Sequence, residues 1–169
     1  MKLSATELMK RLKFIEEEIN EIHHEDEDKS YVPVTETKVD GKTTLVPLYE
    51  SGYNFEANRA RIKELHEEER EIKRLLNKFN NETNVIGYDF TVAEGLVRIA
   101  ELKGEVRVLT NITKGDKYSY DRYNRGASSL TGVAFDLQKA KEILKGYQRE
   151  LSALQVAVDR TNLNSSINY

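Results

Sequence analysis

Residues 136–158 read DLQKAKEILKGYQRELSALQVAV. Asp136 is a good N-cap, because its short carboxylate can accept from the free amides of a helix's first turn. Leu137, Ala140, Leu144, Tyr147, Leu151, Leu154 and Val158 follow at steps of 3 and 4. That spacing places all seven on one face of an α-helix and leaves the intervening charges on the other. The stretch predicts a helix over 137–162, too long to be stable alone and therefore packed along its seam.

Three more seams lie upstream. Ser4 and Glu7 form a capping box ahead of Leu8, Leu12, Ile15, Ile19 and Ile22, which predicts a helix over 5–25. Ile62, Leu65, Ile72, Leu76 and Phe79 predict a helix over 55–80, with Glu69 at a position where the seam calls for an apolar residue. Thr91 and Glu94 repeat the capping box ahead of Leu96, Ile99, Leu102, Val106 and Leu109, which predicts a helix over 92–112. Helices of about 20–27 residues are roughly 30–40 Å long. The expected fold is all-α: one helical domain over residues 1–169, an antiparallel four-helix bundle built as paired long hairpins.

Two connections interrupt that pattern. Residues 31–49 contain Asp40-Gly41, a strong two-residue hairpin turn, flanked by near-mirrored arms in which Val34 faces Pro47 and Pro33 faces Leu48. Pro on both arms suits an exposed ribbon, so a β-hairpin insertion is expected between the first two helices. Residues 113–133 are expected to be a long Tyr/Arg-rich loop, and loops of that length are often functional.

The chain also repeats itself. A shift of 87 lays Ser4, Glu7, Arg11 and Glu18 on Thr91, Glu94, Arg98 and Glu105, and the first seam on the third. A shift of 82 lays Asn80–Thr83 on Asn162–Ser165. The expectation is two helical hairpins related by duplication.

The sequence of 169 residues holds no Cys and no Trp, with 33% charged residues and a net charge of −3. Disulfides, thiol catalysis and Cys-ligated metals are excluded. No apolar run approaches 18 residues, and charges in Met1–Leu12 replace the apolar core of a signal peptide, so a cytoplasmic protein without membrane association is expected. Residues 1–85 carry 14 basic and 19 acidic groups, and residues 86–169 carry 12 and 10. The balance disfavours a nucleic-acid polymer as partner but not a small anion.

Candidate chemistry gathers at the two connections, which an up-down bundle brings to one end. Tyr31, Tyr49, Tyr53, Tyr118, Tyr120 and Tyr123 fall there with Lys114, Lys117, Arg122 and Arg125. Aromatic faces stack on a base, and cationic groups hold a phosphate, so the set fits a nucleotide-like ligand. The same residues equally suit packing of two long loops. His23–Asp28 mixes imidazole with carboxylate, but adjacent helix positions point apart, and a solvated acidic helix end is the plainer reading. Asp26 is expected to pair with a loop cation such as Arg122. No nucleophile elbow, phosphate-binding glycine loop or HExxH occurs.

Leu76–Thr83, Thr91–Leu109, Asp121-Arg122-Tyr123-Asn124-Arg125 and Asp159–Ser165 occur in the order seen in the septicolysin-like family of small helical bacterial proteins, which the chain resembles over roughly residues 60–169. Members show a similar Asp-Arg-Tyr-Ser-Arg run before the last helix. The hairpin 31–49 and Leu163, where the family has Trp, depart from the pattern. The resemblance implies the fold and order of elements and carries no mechanism.

The expected function is therefore a non-enzymatic, homo-oligomeric protein that sequesters a small anionic, nucleotide-like molecule, such as an immune signal, without cofactor or metal. The ligand would sit among Arg122, Tyr123, Arg125, Tyr120, Tyr118, Lys117, Lys114, Tyr49 and Tyr31. The alternative is a structural or protein-interaction module that uses its seams and β-hairpin for oligomerisation or partner capture.

Overall fold

The computed structural model describes residues 1–39, 42–115, 117–120 and 130–169. In chain order the elements are β1 (Lys2–Leu3), α1 (Ala5–Lys29), β2 (Val34–Val39), β3 (Lys42–Pro47), α2 (Phe55–Glu82), α3 (Val92–Thr113), β4 (Tyr118–Tyr120), β5 (Leu130–Gly132), α4 (Leu137–Asn164) and β6 (Ile167–Asn168). The all-α expectation holds at the level of class, since the four helices hold most of the described residues and the strands form only two-stranded antiparallel pairs. All four helices begin where the sequence predicts and run one to four residues further. No described helix is long and apolar enough to cross a membrane.

The described contacts divide the chain into two compact units, Met1–Asn77 with Ser166–Tyr169, and Lys78–Ser165. In the first unit Leu8, Ile15 and Ile19 of α1 pack on Leu65 and Ile72 of α2, with Leu3, Leu12, Ile22, Leu75, Leu76 and Ile167 around them. Burying a large aliphatic side chain contributes about 1.5–3 kcal/mol, so this seam is the main source of the unit's stability. β1 and β6 pair antiparallel beside it, with Leu3 opposite Ile167. The second unit packs Val92, Ile99 and Leu102 of α3 against Leu154 and Val158 of α4, with Val85 from the α2–α3 turn fully buried among them. Ile86 N–H donates to the buried Thr161 hydroxyl at 2.9 Å, and that hydroxyl donates to the Ala157 carbonyl at 2.8 Å. The turn thus places an apolar side chain in the core without stranding polar groups.

The two units repeat one design. α2 and α4 are both 28 residues, each starting and ending 82 residues apart, and α1 and α3 start 87 apart. Both capping boxes form, at Ser4/Glu7 and at Thr91/Glu94. Asn54 and Asp136 both cap their helices, Asn54 accepting from Ala57 N–H and Asp136 from Gln138 and Lys139 N–H. Arg11 grips Glu68 through Nε at 2.6 Å and Nη2 at 2.8 Å, and at the equivalent positions Arg98 Nε and Nη2 both donate to Glu150. The pairing of Leu3 with Ile167 recurs as the bond from Val85 N–H to Phe90 C=O, 3.0 Å.

Residues 113–133 are not a structureless loop. Tyr118↔Gly132, Ser119↔Thr131 and Tyr120↔Leu130 pair as an antiparallel ribbon. The alternating Tyr-Ser-Tyr supplies β-forming residues. Gly132 supplies room, since a Cβ there would meet the Tyr118 ring at 3.0 Å. In each unit, therefore, a β-ribbon lies between the two helices of the hairpin. The ribbon 31–49 forms as expected, in the register Val34↔Pro47 through Val39↔Lys42; Asp40 and Gly41 lie outside the described residues.

The repeats exchange volume between equivalent sites. Leu3 and Leu8 in the first unit correspond to Phe90 and Gly95 in the second. A Cβ at Gly95 would meet Val85 at 3.1 Å and Phe90 at 3.3 Å, so the Phe90 ring fills what Leu8 fills in the first unit. Gly95→Leu is expected to cost about 1–3 kcal/mol by overpacking. Adding Phe90→Leu, which copies the first unit, should recover most of it in urea unfolding; no recovery would contradict the equivalence.

Arg11 holds the Glu68 carboxyl below its ordinary value of 4.5, opposed by burial and aided by the Tyr169 hydroxyl. A carboxyl lowered on folding stabilises above its unfolded pKa and loses that contribution as pH falls through the folded value. Glu68→Gln should therefore cost about 0.5–1 kcal/mol near neutral pH, a range suited to a half-exposed pair. The difference from wild type should vanish in acid, below about pH 3, in urea titrations at the two pH values.

Candidate functional site

Of the expected ligand residues, Arg122, Tyr123 and Arg125 lie outside the described residues, and Tyr120 is described only through its backbone in β4. Lys117 and Tyr118 do come together, with the Lys117 Nζ 5.6 Å from the centre of the Tyr118 ring. Tyr118 and Lys114 are exposed. Beside Lys117 a groove of about 470 Å³ is lined by Phe135, Asp136, Leu137, Gln138 and Lys141. The lysines and the helix start favour an anion there. The Asp136 carboxylate opposes one, because it already takes the amides of Gln138 and Lys139 at 3.0 and 3.1 Å.

Tyr31 and Tyr49 flank the first ribbon and are both well exposed. Tyr53 has a structural use instead. Its hydroxyl donates to Asp26 at 2.7 Å, the Asn58 amide donates to the same oxygen at 3.1 Å, and Arg59 pairs with the other carboxylate oxygen. Asp26 is thus engaged by Tyr53 and the start of α2, while Arg122, its expected partner, lies outside the described residues. This cluster also explains why α1 continues past its apolar seam to Lys29: its acidic last turn is neutralised by Arg59 and by the bond from Lys29 to Glu25, 3.0 Å. The Arg59 guanidinium lies 5.3 Å from the Phe55 ring centre, a second contact that fixes it.

The histidines give no catalytic geometry. His24 is exposed and 3.8 Å from Glu27. His66 lies 3.1 Å from Glu69, whose carboxyl Lys73 and His66 hold below the ordinary range. Glu69 therefore leaves the core seam for an open groove between α1 and α2, floored by Met9, Leu12 and Ile19. A carboxylate already paired with Lys73 at 2.5 Å is a poor general base. Among the described residues no group of three or more His, Asp or Glu is placed to hold a metal ion.

The surface that stands out is the β2–β3 ribbon. All described side chains of both arms are exposed. Val34, Glu36 and Lys38 share one face with Pro47, Leu45 and Thr43, and Thr35 and Thr37 share the other with Val46 and Thr44. Leu48 N–H donates to Pro33 C=O at 2.9 Å, which makes 33/48 a hydrogen-bonded pair. Hydrogen-bonded pairs alternate with non-bonded ones. The N–H groups of Val34, Glu36 and Lys38 consequently point outward from β2, as do those of Thr43 and Leu45 from β3. Pro47 would be the third on that side, and it has no N–H. The β2 edge is complete, and the β3 edge is blunted.

Sequence reasoning missed the β4–β5 pairing and a second apolar face on α3, where Leu96, expected in the core seam, is exposed together with Val97, Val108 and Ile112. Both were visible as patterns, Tyr-Ser-Tyr opposite Leu-Thr-Gly and apolar residues off the core seam.

No family model and no curated protein matches the chain. A solved structure does: a functionally unknown conserved protein from Corynebacterium diphtheriae, with a TM-score of 0.71 and 16% identity over 99% of this chain and 100% of that one. At that identity the likeness is one of fold.

Proposed function

We propose that the chain is a non-enzymatic protein-interaction module that captures an extended segment of a partner along the outer edge of β2. The observation that carries this reading is the ribbon Val34–Pro47, exposed on both faces, with one complete edge and one blunted by Pro47. A lone two-stranded ribbon is marginal in water, and an open strand edge is a template for another strand. Strand addition supplies main-chain bonds for affinity and side-chain alternation for specificity. Val34 and Leu45 supply the apolar contacts on one face, and Glu36 and Lys38 supply charges of both signs.

A small-anion site at the second ribbon is the lesser reading. The Lys117–Tyr118 stack and nearby Lys141 support it, and the Asp136 carboxylate in the same groove weighs against it. Calorimetry with mononucleotides separates the two readings.

Pro removes an outward N–H without breaking the ribbon's own ladder, so it isolates one edge. Glu36→Pro should abolish capture of partners from the cells that make the protein, with helical circular dichroism unchanged. Leu45→Pro, on the blunted edge, should retain them. Equal capture by both variants, or none by wild type, contradicts the reading.

A further inference from the structure

α3 carries two apolar faces. Its inner face buries Val92, Gly95, Ile99, Leu102 and Thr113. Its outer face exposes Leu96, Val97, Val108 and Ile112, with Ala100 and Gly104 between them. At about 100° per residue these six fall within one arc roughly opposite the core. Among the described residues a Cβ at Gly104 would meet nothing within 4 Å, so their packing does not require a glycine there.

The repeat supplies an internal control. The shift of 87 sets Leu96 on the exposed Met9, and Val97, Ala100, Gly104, Val108 and Ile112 on Lys10, Lys13, Glu17, Glu21 and Glu25 of α1. Five of the six positions are therefore charged in the first unit, and all six are uncharged in the second, so the shared fold does not demand apolar residues there.

The charges flanking the face identify the cover. Lys103 and Arg107 lie along one edge and Glu101 and Glu105 along the other, each pair four residues apart and all exposed. None of the four forms an ion pair among the described residues. When two copies of one helix pack in parallel about a two-fold axis along their length, the left edge of each meets the right edge of the other. Here that sets Lys103 and Arg107 of one copy against Glu101 and Glu105 of its mate, at matching heights. An antiparallel pair would set like charges together. Ala100 and Gly104 at the centre let the backbones approach closely.

We propose that the outer face of α3 is a self-association surface on which α3 of a second copy lies parallel, crossing at Ala100 and Gly104. This inference stands on α3 and does not rest on capture at the β2 edge. A helix about 33 Å long offers less than a standard interface, so the dimer should dissociate in the micromolar range.

The test is mass by sedimentation, with protein from about 1 µM to about 1 mM. Wild type should pass from monomer to dimer, and so should a chain lacking 34–47. Gly104→Glu with Val108→Glu, which copies α1, should stay monomeric with unchanged circular dichroism. Glu101→Lys with Glu105→Lys should be monomeric alone, as should Lys103→Glu with Arg107→Glu, and an equimolar mixture of the two should dimerise. A wild type monomeric throughout overturns the proposal, as does a dimer that survives Gly104→Glu with Val108→Glu. Charge-reversed chains that dimerise alone overturn the parallel arrangement.

Discussion

Two helices joined along branched aliphatic seams can slip past each other by whole turns while keeping their apolar faces together, so something must choose the register. In the first unit the Arg11 fork meets both Glu68 oxygens, at 2.6 and 2.8 Å, and only one register allows it. A half-exposed ion pair adds little stability, and its best-attested use is selection among alignments. With α1 and α2 fixed, Tyr169 can reach Glu68 at 2.8 Å while β6 pairs with β1. The second unit obtains the same alignment from Arg98 and Glu150, with its own closing pair at Val85 and Phe90.

Because the two units share one framework, their differences mark where they were put to separate uses. The first ribbon has six-residue arms and exposes apolar, threonine and charged side chains; the second has three-residue arms and carries Lys117 over Tyr118. The outer face of α1 is charged at Lys10, Lys13, Glu17, Glu21 and Glu25, where α3 has Val97, Ala100, Gly104, Val108 and Ile112. Neither difference repairs the core, whose equivalent sites exchange volume, Leu3 and Leu8 against Phe90 and Gly95. The divergence lies on surfaces, which is where binding specificity is placed.

The helices were legible because seam spacing and capping residues are local signals, and the starts of α1, α3 and α4 were readable from Ser4, Thr91 and Asp136. Their ends were less so: α1 continues to Lys29 on the strength of Arg59 and Tyr53, more than 20 residues away in sequence, which no local pattern encodes. The first ribbon was readable from its mirrored arms. The second was hidden because its strands are three residues long and nine residues intervene between them. Half of the repeat was legible. Arg11 and Arg98 align by eye, whereas Glu68 and Glu150 fall on a different shift, 82 rather than 87. The expected ligand site was assembled from composition at one end of the expected bundle; of its nine residues, Lys117 and Tyr118 are the pair that the described structure brings into contact.

The central claim is that the chain is one α–ββ–α unit used twice, with the 84–91 turn as the counterpart of the β1–β6 closure. Met1 N and the Tyr169 carbonyl lie 2.8 Å apart, so a short linker can join the ends, and the exposed Gly87–Tyr88 bond can be opened in exchange. Cooperative urea unfolding of that circular permutant measures the claim directly. A single sharp transition with native helical content is the predicted result. A broad transition with helix content lost from the segment 92–164 would show that the turn does something the closure cannot, and would contradict the account.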